Sequence, residues 1–135
     1  MTTSPVVIDA SAAVEMVART SIGAKLQRLL PSQAVPWVPD GLFDAEVMSV
    51  LRRWELVGTL PPALVAAALL RITNWRLRRA SVTGLTADAW MMRHNVTFTD
   101  ACYVSLARRL NAPLLTSDHR LANAPGLQVQ ILRPV

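Results

Sequence analysis

Nine acidic side chains run through the sequence, and two of them stand where an apolar run gives out. "VVIDAS" carries a short apolar stretch into Asp9, and "APLLTSD" carries another into Asp118. Two more acids sit near helix starts: Glu46 in the early turns of "GLFDAEVMSVLRRWELV", and Asp100 in the first turn of "DACYVSLARRL". In an open parallel sheet ligands bind beyond the carboxyl ends of the strands, and a helix that follows a strand begins at that same edge. Connectivity therefore allows Asp9, Glu46, Asp100 and Asp118 to gather in one place. Two unit charges ~4 Å apart repel by roughly 4 kcal/mol at an effective dielectric near 20. Several such pairs rival the ~5–15 kcal/mol that holds a domain together. A gathered set must be neutralised by a divalent cation or carry protons on some members. Oxygen donors in a chain with one cysteine and two histidines suit Mg2+ or Mn2+ rather than zinc. Each acid also has a structural alternative. Asp9 and Asp118 can cap the helices that follow them, Asp100 complements its own helix dipole, and Glu46 can be a helix-surface acid. Spacing alone leaves those alternatives open.

The elements that would position these acids can be read from apolar periodicity and from caps. Val6–Asp9 reads as a buried strand and "SAAVEMVAR" as a helix with Ser11 near its N-cap. Gly23 to Leu30 reads as a second helix stopped by Pro31, and "AVPWVPD" as a short strand interrupted by proline. The best helical pattern follows, with Leu42, Ala45, Val50 and Trp54 along one side and Gly58 closing it. Asp40 suits a cap there, and Asp44, two residues from Glu46, points elsewhere into solvent. Glu15, Glu55 and Asp88 also read as solvated acids. Pro61 and Pro62 open a helix from Ala63 to Ile72, and "NWRLRRASVTG" fits either a helix tail or a strand. Thr86–Arg93 is helical, Thr99 can cap the helix that ends at Asn111, and "HRLAN" is a helical turn. "LQVQILR" makes a last strand. Short strands alternating with helices predict one α/β domain over residues 1–135, with a mainly parallel sheet flanked by helices.

Composition narrows the function classes. Hydrophobic residues make up 52% of 135, enough for a packed core and unlike a disordered chain. The start "MTTSPVVIDAS" lacks the basic and apolar regions of a signal peptide. "LPPALVAAALLRI" falls short of the ~20 residues that span a bilayer. Cys102 alone excludes an internal disulfide and a cysteine-based zinc cluster, so a reducing cytoplasm is expected, with no membrane partner. The net charge is +5, and every basic residue except Lys25 is an arginine, whose planar fork pairs well with phosphate. Without the four acids above, fourteen basic residues face only five acids, a positive field around a small negative pocket. "RITNWRLRR" sets Arg71, Arg76, Arg78 and Arg79 around Trp75, either to track phosphates and stack a base or as a solvated face over a core tryptophan. His119 adjoins Asp118, as a surface residue or as a nucleic-acid contact.

Four blocks, "VVIDASAAV", "FDAEVMSVLRR", "VTFTDACYVSLARRL" and "APLLTSDHRLA", resemble in order the motif blocks of PIN-domain ribonucleases, and most of all VapC-type toxins of bacterial type II toxin–antitoxin modules. The blocks run from Val6 to Ala122, while about Leu60 to Thr86 matches only loosely. The resemblance implies a PIN-like three-layer fold. It also implies Asp9, Glu46, Asp100 and Asp118 as catalytic, metal-binding acids, with Ser11 and Thr116 as polar supports. The activity implied is Mg2+- or Mn2+-dependent endoribonuclease cleavage of RNA, transfer or ribosomal, that inhibits translation and growth. Arg76, Arg78, Arg79 and His119 become candidate RNA contacts. A VapB-type antitoxin, docked on an apolar groove between the early helices and covering the acids with a basic or aromatic segment, and a toxin homodimer are implied as partners. The rivals are weaker. A haloacid-dehalogenase-type phosphatase wants an aspartate where Ser11 stands, and a receiver-like signalling module wants a late lysine. A non-catalytic nucleic-acid-binding module would not need the four acids.

Overall fold

Val7 and Ile8 have no measurable solvent exposure, as expected of a central strand covered on both faces. They form β1 (Val7–Ile8) in a computed structural model that describes residues 4–135. The remaining elements follow in chain order: α1 (Ala10–Val17), α2 (Ser21–Leu29), β2 (Trp37–Pro39), α3 (Leu42–Leu56), α4 (Pro62–Asn74) and β3 (Arg78–Ala80). A 3-10 turn over Val82–Leu85 leads into α5 (Thr86–Met91), α6 (Phe98–Leu110), β4 (Leu114–Leu115), α7 (His119–Ala122) and β5 (Ile131–Leu132). The five strands are all parallel in the order β3-β2-β1-β4-β5. Among the described residues seven helices flank them, as the strand–helix alternation predicts.

Two features of this order matter for the site. The chain steps outward from β1 to β2 and β3, then returns to place β4 on the other side of β1. The crevice beyond β1 and β4 is therefore the topological switch point, where open parallel sheets bind ligands. Helix α6 then lies directly on β1, β2 and β4, and every residue from Ala101 to Ala107 is buried. Helix α1 packs on α2, α3 and α4. Among the described residues, no helix is long and apolar enough to cross a membrane.

Several local expectations shift by a residue or two. Asp9, not Ser11, is the N-cap of α1, and its Oδ1 accepts from the Ala12 N–H at 2.9 Å. Thr97, not Thr99, caps α6 and accepts from the Asp100 N–H at 3.2 Å, so the helix starts earlier and still holds Asp100 in its first turn. The buried stripe of α3 is Phe43, Val47 and Leu51, with Val50 and Trp54 half-buried beside it and Ala45 exposed. A spacing of four residues repeats on one helix face, and this stripe turns Glu46, Val50 and Arg53 toward the pocket described below.

The ambiguous "RLRRA" segment is edge strand β3, where charged side chains discourage pairing with another chain. Gly41 takes the N-cap position of α3 with φ 78°, which leaves Asp40 free. Asp40 and Asp44 both accept from Arg79, Asp44 in a two-pronged pair at 2.6 and 3.0 Å and Asp40 at 3.0 Å. Asp44 is thus paired rather than merely solvated, and Arg79 is a brace between β3 and the start of α3. Its hydrogen bonds hold the Asp44 carboxyl below the ordinary value of 3.8. A depressed carboxyl stabilises the fold above its unfolded pKa and loses that contribution as the pH falls through its folded value. The groups are well exposed, so Arg79→Ala is expected to cost only about 1 kcal/mol, or roughly 3 °C in melting temperature. Melts at pH 7 in low salt should show the loss, and 1 M salt or pH 3 should shrink it. A variant that melts like the parent in low salt would refute the brace.

Candidate active site

Asp9 leaves β1 into the crevice and is only 4% exposed. Ser11 Oγ donates to its Oδ1 at 2.7 Å, and Thr116 Oγ1, from beyond β4, donates to its Oδ2. Each hydroxyl has one proton, and both are directed at Asp9, so the 3.2 Å approach of Ser11 Oγ to Thr116 Oγ1 is a close contact more than a third bond. Thr116 also accepts from the Asp118 N–H at 3.0 Å, and Ser11 from the Ser117 N–H at 3.1 Å. The two small hydroxyls therefore tie the ends of β1 and β4 together around one carboxylate. Burial still pushes Asp9 up to about 6, against the three hydrogen bonds that favour its charged form.

The other acids arrive from three more elements. Glu46 projects from α3, where Tyr103 Oη of α6 donates to its Oε1 at 2.7 Å. Burial raises the Glu46 carboxyl despite that bond. Asp100 stands one turn before Tyr103 on α6, and burial, joined by the negative charge of Asp118, raises it as well. The Tyr103 hydroxyl is itself raised by burial and by Glu46, so it stays a proton donor. Asp118 caps α7, its Oδ1 accepting from the Arg120 and Leu121 N–H groups at 2.9 and 3.4 Å.

All four carboxylates line one pocket of about 360 Å3. Arg53 and Arg120 line the same pocket, and Arg120 Nε is 3.8 Å from Asp118. The donor set is hard oxygen throughout, and among the described residues the most buried carboxylate has no cation to pair with, so its chemistry fits Mg2+ or Mn2+. As the side chains stand, no three acid, histidine or cysteine groups among the described residues converge tightly enough to hold one ion. Glu46 is held by Tyr103 and Asp118 by its cap.

Of the sequence candidates, Asp9, Glu46, Asp100, Asp118 and Ser11 line this pocket, while Thr116 sits fully buried behind Asp9. The candidate RNA contacts Arg76, Arg78, Arg79 and His119 do not line it. Arg79 is taken by Asp40 and Asp44, and Arg78 lies over the Trp37 ring, 5.9 Å from its centroid. Arg76 and His119 are simply exposed. Sequence reasoning missed Tyr103, Arg53 and Arg120. Helical spacing was the available signal for the first two: Tyr103 follows Asp100 by three residues and Arg53 follows Glu46 by seven.

The family model for the PIN domain matches residues 6–127, which includes every one of these side chains. Ribonuclease VapC3 of Mycobacterium tuberculosis is 42% identical over 125 residues, covering 90% of each chain. The crystal structure of M. tuberculosis VapC20, described as a sarcin–ricin-loop-cleaving toxin, superposes with a TM-score of 0.64 at 20% identity. That match covers 96% of this chain and 99% of VapC20. A toxin–antitoxin complex from Klebsiella pneumoniae gives a TM-score of 0.60 at 12% identity, over 96% of this chain and 98% of the other. These two structures share the fold. The family model and the VapC3 identity go further: the chain belongs to the PIN-domain family, among its VapC-type ribonucleases.

Proposed function

We propose that the protein is a metal-dependent endoribonuclease and the toxin of a toxin–antitoxin pair, acting in the cytoplasm on translation. The observation that carries this reading is the meeting of four carboxylates from four elements in one pocket at the switch point of the sheet. VapC3, a named ribonuclease, supports it over nine-tenths of the chain.

Asp9, Glu46, Asp100 and Asp118 would hold Mg2+ or Mn2+. The ion, when bound, polarises a phosphoryl oxygen and acidifies a water for in-line attack. Ser11 and Thr116 keep Asp9 in one rotamer, Tyr103 orients Glu46 through Oε1, and Arg53 and Arg120 offer charge to the phosphates of the substrate. Hydrolysis by water leaves a 5′-phosphate and a 3′-hydroxyl. The partners that go with this reading are an RNA, transfer or ribosomal, a VapB-type antitoxin that covers the acids, and a second copy of the toxin. The Klebsiella toxin–antitoxin complex of the same fold supports an antitoxin partner.

Purified protein should cleave RNA with Mg2+ or Mn2+, stop in EDTA, and resume when the ion is restored. Asp100→Asn should lower kcat by about 100-fold or more, since it takes a charge from the ion site without removing a cap. Gel analysis of labelled RNA with end-group mapping reads both results. Cleavage that continues in EDTA would defeat the mechanism.

A further inference from the structure

A second cavity, about 420 Å3, shares the Thr97, Asp100 and Arg120 wall of the acid pocket. Its other lining residues include Arg93, His94 and Asn95, from the loop between α5 and α6. That size falls within the ~300–1,000 Å3 typical of small-ligand sites. The acid pocket has all four carboxylates in its lining, whereas this cavity has only Asp100 beside Arg93 and Arg120.

Arg93 is held without neutralisation. Its Nη1 donates to the Trp90 carbonyl at 3.1 Å, and its guanidinium lies over the Trp90 ring, 5.0 Å from the centroid. No carboxylate pairs with Arg93 among the described residues. Arg120 has an 89% exposed side chain and touches Asp118 only at 3.8 Å. Two cations therefore stand with free donors beside the acids, and Val96 and Leu121 also line the cavity. The Asn95 side chain, also in the lining, makes no hydrogen bond within the described chain, which leaves a donor and an acceptor for a base edge.

We propose that this cavity binds one nucleotide of single-stranded RNA next to the scissile phosphate, with the flanking phosphate on Arg93 and Arg120 and the base read by Asn95. The proposal rests on the ribonuclease reading and deepens it by naming the subsite. Phosphate contacts set register and base contacts set sequence, so the residues divide the work.

The test uses the full chain carrying Asp9→Asn, which keeps RNA intact during measurement and lies outside this cavity. Fluorescence anisotropy with labelled single-stranded oligoribonucleotides, one mixed and four homopolymeric, gives Kd across a salt series. Arg93→Ala with Arg120→Ala should raise Kd about tenfold or more, and should flatten the slope of log Kd against log salt by roughly 0.7, for the one phosphate that both arginines hold. Asn95→Ala should narrow the spread among homopolymers and leave the slope alone. Arg28→Ala, an exposed arginine on α2, is the control for charge in general. A double variant that binds like its parent, or no more weakly than the Arg28 control, overturns the phosphate site, and an unchanged spread overturns base reading by Asn95. Parallel cleavage assays on the protein with Asp9 intact separate the two levels. Absence of Mg2+-dependent cleavage there defeats the ribonuclease reading, whereas cleavage with unaltered KM in the groove variants defeats the subsite alone.

Discussion

Asp9→Asn is expected to abolish RNA cleavage, by about 1,000-fold or more, and at the same time to raise the melting temperature of the metal-free protein at neutral pH. The first half follows from removing the most buried carboxylate of the pocket. The second half is a matter of sign. Burial raises the Asp9 carboxyl from 3.8 to about 6, so the folded chain binds this proton more tightly than the unfolded chain does. Below 3.8 both states hold the proton and nothing is lost. Between 3.8 and about 6 stability falls as pH rises, because folding now opposes an ionisation that the unfolded chain accepts freely. At pH 7 the accumulated cost is roughly 3 kcal/mol, an order-of-magnitude figure at ~1.4 kcal/mol per pH unit. Glu46 and Asp100, also raised by burial, act in the same direction.

Asparagine removes the charge and keeps the cap, since its Oδ1 accepts from the Ala12 N–H as well as aspartate does. The Thr116 hydroxyl can turn from donor to acceptor for the new amide. In EDTA at pH 7.5 the variant should melt roughly 5–10 °C above the parent, and the gap should shrink at pH 4.5. Mg2+ should reverse the ranking by stabilising the parent in proportion to RT ln(1 + [L]/Kd). Paired calorimetric melts with and without the ion check all three points. A variant that is less stable than the parent in EDTA at pH 7.5, or a gap indifferent to pH, would show that Asp9 is not a destabilising charge in the empty pocket.

That trade between stability and chemistry explains which parts of the molecule were legible from residue order. Apolar runs ending in Asp9 and Asp118 mark strand ends because a parallel sheet buries both faces and releases polar residues only at its edge. The helix starts were legible to within two residues. Ser11 and Thr99 are as good caps by type as Asp9 and Thr97, and only backbone geometry chooses between them. The long-range hydrogen-bond and ion-pair partners of Tyr103 and Arg79 were not legible. Tyr103 reaches Glu46 across 57 positions, and Arg79 reaches Asp44 across 35, because α3, α6 and β3 come together only after the sheet is ordered. The arginine cluster around Trp75 shows the same limit: composition left it open between tracking RNA and forming a solvated face, and the fold spends Arg79 on two carboxylates. The arginines that do border the acids, Arg53 and Arg120, lie 67 positions apart in sequence and become a set only in space.

Gly23→Ala is expected to destabilise the protein by about 3 kcal/mol or more, although alanine is the better helix former. Gly23 lies early in α2, capped by Thr20, and its backbone rests against the end of α1. A Cβ there would stand 2.1 Å from the Glu15 carbonyl oxygen and 2.6 Å from its carbon, with Met16 Cα at 3.0 Å. Those neighbours are backbone, so no rotamer change relieves the contact. Intrinsic propensity favours alanine by ~1 kcal/mol. Overpacking against side chains typically costs ~1–3 kcal/mol, and rigid backbone belongs at or beyond the upper end. The clash wins, and α1 and α2 must part. Helix α1 carries Ser11 and begins at the Asp9 cap, so the displacement propagates toward the pocket. The melting temperature should fall by roughly 10 °C, with cleavage at low temperature reduced in kcat more than in KM. Gln27→Ala, on the exposed face of the same helix, should change the melting temperature by no more than about 2 °C. If Gly23→Ala melts at or above the parent, the helices are not in backbone contact at this point, and glycine is there for some reason other than close approach.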